Sequence, residues 1–154
     1  MQTFLPYPDF EASARSLDPR RLGKQRVEAL QILNALTVPG HGWRNHPAVL
    51  MWRGYEEALV RYCLEVCAVW CELGFNDTCA TKVSDALQER LGVVSVRSQA
   101  ELGRDGALPA WLGLEAMHRS HRSSLLRKDP AHYRPQFGDE ADDLEYVWPV
   151  RAGG

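Results

Sequence analysis

The sequence predicts an all-α fold, a compact single domain with three main helices and irregular connections. Three observations predict it. Apolar residues recur at helical spacing in long stretches, Asp-Pro and Pro-Gly pairs mark where helices start and stop, and a single run, Val93-Val94-Ser95-Val96, has strand character. One such run cannot make a sheet, so it reads as a loop or a short buried segment.

The elements follow in order. The first ten residues carry Pro6 and Pro8 and read as an extended arm. Asp18-Pro19 is a helix start, with Asp as N-cap and Pro in the first turn. Leu22, Arg26, Ala29, Leu33 and Leu36 then recur at helical spacing until Pro39-Gly40. The loop that follows ends at Asn45 or His46, either of which can cap a helix from Pro47. Leu50, Tyr55, Leu59, Tyr62, Val66, Val69 and Leu73 keep a 3.6-residue period, which predicts one long spine helix closed by Gly74. A short helix is expected over 85–91. The third main helix covers 114–128 and ends at Asp129-Pro130, leaving an irregular aromatic stretch and an acidic, aromatic tail at 139–154. No repeat or linker divides residues 1–154.

A chain of 154 residues with 45% hydrophobic and 25% charged residues has ordinary globular composition and enough length for a core. No run approaches the ~18 apolar residues of a membrane span. The opening, MQTFLPYPDF, lacks the basic and apolar regions of a secretory signal, so the default expectation is a cytoplasmic protein without a membrane partner. The net charge of −2 conceals a pattern. Arg15, Arg20, Arg21, Lys24 and Arg26 cluster in 15–28, and Arg119, Arg122, Arg127, Lys128 and Arg134 in 118–134, with His118, His121 and His132 among them. Asp139, Glu140, Asp142, Asp143 and Glu145 collect in the tail. Such blocks are either solvated helix faces or a face for an anionic partner.

Cys63, Cys67 and Cys71 are spaced by four along one helix face, with Cys79 beyond. Pairing along such a row is awkward, and the CxxC pairs or nearby histidines of a zinc site are absent, so small core residues and no metal are expected. Nucleotide-cofactor, phosphate-loop, zinc-protease and serine-hydrolase motifs are also absent, and no cofactor is expected. Chemistry then falls to carboxylates, histidines, arginines and the chain's own N-terminus. Glu28 sits mid-helix one turn from Lys24, where a surface salt bridge is the ordinary role. His46 reads as a helix cap, a base or a phosphate contact. His118, His121 and Arg122 fall on neighbouring turns, where phosphate contact is the functional reading. Trp43, Tyr133 and Trp148 are core residues or stacking partners for an unpaired base.

At this point the residues carry a resemblance. Leu17-Asp18-Pro19-Arg20-Arg21-Leu22-Gly23-Lys24-Gln25-Arg26-Val27-Glu28-Ala29-Leu30 resembles the first helix of the pyrimidine-dimer DNA glycosylase (endonuclease V-type) family, in particular its bacterial branch. The family has Trp-Arg-Glu where this chain has Arg26-Val27-Glu28, so Glu28 keeps register while the arginine shifts. Gly42-Trp43-Arg44-Asn45-His46-Pro47, Leu73-Gly74-Phe75-Asn76 and the run from Ser120-His121 through Asp129-Pro130-Ala131-His132-Tyr133 are similar to three further family blocks, in order.

The resemblance implies an all-helical domain that cuts the glycosidic bond at a damaged pyrimidine. Its nucleophile is the N-terminal α-amine, which forms an imine with the sugar while a glutamate on the first helix assists. Carried over, these roles fall to Met1 and Glu28. Gln2 is too bulky for efficient methionine removal, so Met1 is expected to remain. An α-amine is the least basic amine a chain carries, which leaves a useful fraction unprotonated at neutral pH. Double-stranded or damaged DNA is the expected partner. Arg21, Lys24, Arg26, Arg44, His46, His118, His121, Arg122, Lys128 and Tyr133 are its expected contacts. A DNA-binding module of the same fold without catalysis is the alternative. The stretch between Met1 and Glu28 is longer than in the family, so their meeting is a question for the structure.

Overall fold

The structure, a computed structural model, describes residues 1–150; the last four residues of the expected tail lie outside them. Among the described residues there are eight helices and no strand: α1 Phe10–Ser16, α2 Pro19–Thr37, α3 Pro47–Leu50, α4 Glu56–Glu72, α5 Cys79–Leu91, α6 Gln99–Arg104, α7 Glu115–Lys128 and α8 Pro130–Phe137. The three longest are α2, α4 and α7. None is long and apolar enough to cross a membrane.

The α2 helix begins where its cap chemistry places it, with the Asp18 carboxylate accepting from the Arg21 amide and Pro19 in the first turn. It packs along α4, with α1 laid on α4 and α5 against both. The contact is close because Gly23 lacks a side chain: a Cβ there would meet the Trp70 ring at 2.8 Å. Leu22, Ala29, Ile32 and Leu33 from α2 meet Leu59, Tyr62, Cys63 and Val66 from α4 in one fully buried cluster.

The single spine helix expected from Pro47 to Leu73 is instead two. His46 caps α3, its Nδ1 accepting from the Ala48 amide at 3.0 Å. The chain then turns through 51–54 before α4 starts at Glu56. Long-range partners make the break. The Met51 carbonyl is taken by the Trp111 indole at 2.7 Å, and the Trp52 indole is turned to the Thr3 hydroxyl at 3.0 Å. Gly54, at φ +86°, then supplies a left-handed residue that other side chains rarely adopt.

Further differences follow from local chemistry. The helix expected over 85–91 starts earlier, at Cys79, because the Asp77 carboxylate accepts from the Cys79 and Ala80 amides. The α7 helix ends at Lys128 as expected, but Asp129 also opens α8, its side chain accepting from His132 N–H, within the stretch read as irregular. The 93–96 segment is a loop, with Val94 78% exposed. Cys63, Cys67 and Cys79 are buried, while Cys71 faces solvent. Its contact with Cys63, together with burial, holds the Cys67 thiol protonated.

The N-terminal arm has neither helix nor strand before α1 and bends at 6–9, and it is among the most deeply buried segments. Residues 2–6 thread the core without strand partners, so their backbone polar groups need side-chain ones. Gln25 serves Gln2 C=O and Phe4 N–H, and the Tyr62 hydroxyl serves Phe4 C=O. His121 Nδ1 accepts from Leu5 N–H at 2.9 Å, and His118 Nδ1 lies 2.7 Å from Leu5 C=O. Arg122 donates to Pro6 C=O, Ser13 serves Tyr7, and Gln99 reaches Pro8 and Phe10.

Candidate active site

The arm delivers Met1 into a cavity of about 390 Å³. Gln2 and Phe4 of the arm form one part of the wall, and Arg20, Arg21, Lys24, Gln25 and Glu28 of α2 another. Lys128 at the end of α7 and Tyr146 of the tail complete it. The two residues expected to carry chemistry, Met1 and Glu28, therefore line one cavity, as do Arg21, Lys24 and Lys128.

Glu28 is held on two sides. The Gln25 Nε2 donates to its Oε2 at 2.9 Å, and the Lys24 ammonium lies 3.8 Å from its Oε1. Its side chain is 13% exposed, so it faces the cavity rather than bulk water. Tyr146 is anchored by a 2.7 Å hydrogen bond between its hydroxyl and that of Ser124. Arg21 pairs with Asp18 at 3.2 Å, whereas Arg20 and Lys128 are exposed and make no ion pair among the described residues. Both basic blocks thus contribute to one cationic rim, although the whole chain is slightly acidic.

His46 lies outside the cavity wall but close to it. Burial, and then the charge of the terminal ammonium, hold its imidazole below the ordinary range. Its ring stacks on Trp43 at 6.0 Å and meets Trp148 edge-on at 6.1 Å, while Tyr146 packs beside Trp148. Arg44 is exposed in the same loop, donating to the His41 carbonyl.

The remaining expected DNA contacts are elsewhere, and each needs correction. His118 and His121 are fully buried and cannot touch a phosphate; they hold Leu5. Because its Nδ1 accepts from Leu5, His121 carries its proton on Nε2, where it finds no partner. Burial, and then the neighbouring His118, push His121 down to about 3. Both imidazoles are neutral, which suits amide recognition and not anion binding. Tyr133 is fully buried and donates to the Asp18 carboxylate while accepting from the Asp18 amide. Although burial alone would raise it, those bonds from Tyr133 and Arg21 hold Asp18 below the usual carboxylate range.

Arg26 and Arg122 are likewise occupied within the protein. Arg26 pairs with Asp77 and lies over the Trp70 ring at 4.4 Å, with 15% of its side chain exposed. Arg122 binds Glu140, Glu115 and Pro6 C=O, with 13% exposed.

Gln25 is the residue that the sequence reading overlooked. The reading put Arg26 on the buried face of α2, but Gln25 is the one buried there, 1% exposed. The available signal was a polar residue at i+3 from Leu22 and i−4 from Ala29, on the stripe that faces the core. Arg20 and Tyr146 were also missed as cavity residues. Arg20 was hidden among several arginines, and Tyr146 comes from a tail whose docking no local pattern announces.

The fold and the cavity define a class: a helical domain that presents its first residue and an internal carboxylate to a cationic opening. The family described as pyrimidine dimer DNA glycosylase matches residues 1–83, more than half of the chain. The chain belongs to this family. The match takes in the arm, α2 and the 42–47 and 73–76 blocks, while the 120–133 block lies beyond it. Comparison with curated proteins and with solved structures yields no match.

Proposed function

We propose that this protein is a DNA glycosylase and AP lyase acting at damaged pyrimidines in double-stranded DNA, with the Met1 α-amine as nucleophile and Glu28 as its acid–base partner. The observation that carries the reading is the presence of Met1 and Glu28 in the wall of the same cavity, under a rim of Arg20, Arg21, Lys24 and Lys128. Family membership supports the substrate class.

The chemistry follows from those groups. The lesion sugar leaves the stack to reach the cavity, while the rim cations bind the flanking phosphates. The amine nitrogen bonds to C1′ of the deoxyribose as the bond from C1′ to the base breaks, and the base departs with a proton. The carboxyl of Glu28 gives its proton to O4′ as the ring opens, leaving a cationic imine at C1′ that the resulting Glu28 carboxylate stabilises. Removal of a C2′ proton by Glu28 then expels the 3′ phosphate by β-elimination. Water hydrolyses the imine and returns the free amine.

Borohydride reduction of the imine tests the reading. Protein with a free Met1 should become covalently trapped on duplex DNA containing an abasic site, with the adduct on the N-terminal peptide by mass. A tag fused to the N-terminus should abolish trapping, which controls for background imines at surface lysines. Trapping that survives the tag would leave a DNA-binding module without this chemistry.

A further inference from the structure

We infer that Gln25 is the positioning residue of the cavity, its one amide setting the Met1 amine against the Glu28 carboxylate. This deepens the reading above and rests on it. The amide has a partner on every side. Its Oε1 accepts from Phe4 N–H at 2.8 Å and lies 2.9 Å from the Tyr62 hydroxyl, while its Nε2 donates to Gln2 C=O at 3.0 Å and to Glu28 at 2.9 Å. Its orientation is fixed by those partners. Reversed, the amide would face the Phe4 N–H with a donor and two oxygens, from Gln2 and Glu28, with an acceptor. With 1% of Gln25 exposed, water cannot replace it.

The geometry links two things that catalysis needs linked. The Gln2 carbonyl and the Phe4 amide bracket Thr3, so the clamp closes one peptide unit from Met1. The same nitrogen that holds the arm also holds the carboxylate. Lys24 carries a second amine near Glu28, at 3.8 Å, but its side chain is 72% exposed and only the salt bridge holds it. Of the two amines that line the cavity with Glu28, the one whose chain is clamped is the α-amine. Misplacing a reacting group by an ångström costs roughly a hundredfold in rate, and Gln25 is what prevents that misplacement.

The experiment compares Gln25→Glu, Gln25→Met and Gln99→Ala with the wild type, as full chains with a free Met1, on a duplex holding an abasic site. Gln99 pins the arm at Pro8 and Phe10, far from Met1, and serves as the control for arm loosening. Gln25→Glu keeps both acceptor contacts but sets a carboxylate oxygen against Glu28 and Gln2 C=O. Cleavage under saturating protein should fall by roughly a hundredfold with DNA affinity unchanged. The acidic limb of its rate profile should move up by about one pH unit, as like charges protonate earlier. That limb is read with the neighbouring charges of Lys24, Arg21, Lys128 and the Met1 amine in place. The borohydride adduct should leave the Met1 peptide or shift to Lys24, while Gln99→Ala should cleave within a few-fold of wild type.

Should Gln25→Glu fail to fold, Gln25→Met, neutral and of similar size, carries the rate and adduct readouts. Folded Gln25 variants with wild-type rate, profile and adduct would overturn the inference alone. So would an equal loss in Gln99→Ala. A wild type that forms no adduct at Met1 would overturn the reading of the reaction and this inference with it.

Discussion

The Arg122 guanidinium donates to the Pro6 carbonyl across 2.7 Å, joining the last long helix to the first residues of the chain. It also pairs with Glu140 at 3.0 Å, so one side chain holds both the arm and the start of the acidic tail. A cation that looks available for DNA in the sequence is engaged by the protein itself, and Arg26, between Asp77 and Trp70, is engaged in the same way.

The basic residues should therefore separate into two groups. Arg20→Ala and Lys128→Ala should weaken DNA binding, and each should flatten the slope of log affinity against log salt by about 0.9 while leaving the melting temperature unchanged. Arg122→Ala and Arg26→Ala should instead lower stability by about 2 kcal/mol, because each leaves a buried acceptor or carboxylate unpaired. Salt titrations and thermal melts of the four variants check the division.

Glu28→Gln preserves the shape of the cavity and removes its carboxylate. Duplex binding should be retained, while cleavage at an abasic site should slow by about a hundredfold or more, the scale of general acid–base assistance. Single-turnover kinetics beside a binding isotherm measure both. Unaltered cleavage would remove Glu28 from the mechanism.

Acid should loosen the arm before it protonates the structural carboxylates. His121 titrates at about 3 in the folded protein, against an ordinary 6.5, because it is buried beside His118. Between these values the unfolded chain binds a proton that the folded state refuses. The stabilisation is complete above the higher value and is lost as pH falls through the window, on the order of a few kcal/mol at the acid end. Denaturant titrations from pH 7 to 4 should show this decline. His121→Gln, less stable at neutral pH, should show a shallower one.

Thiol labelling should distinguish the cysteines. Cys71 is exposed, whereas Cys63, Cys67 and Cys79 are buried. The native protein should react rapidly at Cys71, and the others should follow only on unfolding. Rapid native labelling at Cys67 would contradict the packing of α4 against α2.

What the sequence made legible was local. The start of α2 follows from Asp18-Pro19, and the end of α4 from Gly74, at φ +93°. The roles expected of Met1 and Glu28 came by resemblance, and no spacing announced that the two would line one cavity. The break between α3 and α4 was hidden because the Trp111 and Thr3 contacts that cause it come from far along the chain. His118 and His121 read as phosphate ligands because the arm, their real partner, is more than a hundred residues away in sequence. Periodicity placed Arg26 on the inner face because one residue's error on a helix is a rotation of about 100°, enough to exchange a buried glutamine for an arginine at the edge of the packed face.

The burial of the arm also has a consequence for biosynthesis. Leu5 and Pro6 leave the ribosome more than a hundred residues before His118, His121 and Arg122, which hold them. Contacts of such separation close late. The seat for Met1 cannot be assembled on a nascent chain that stops short of α7.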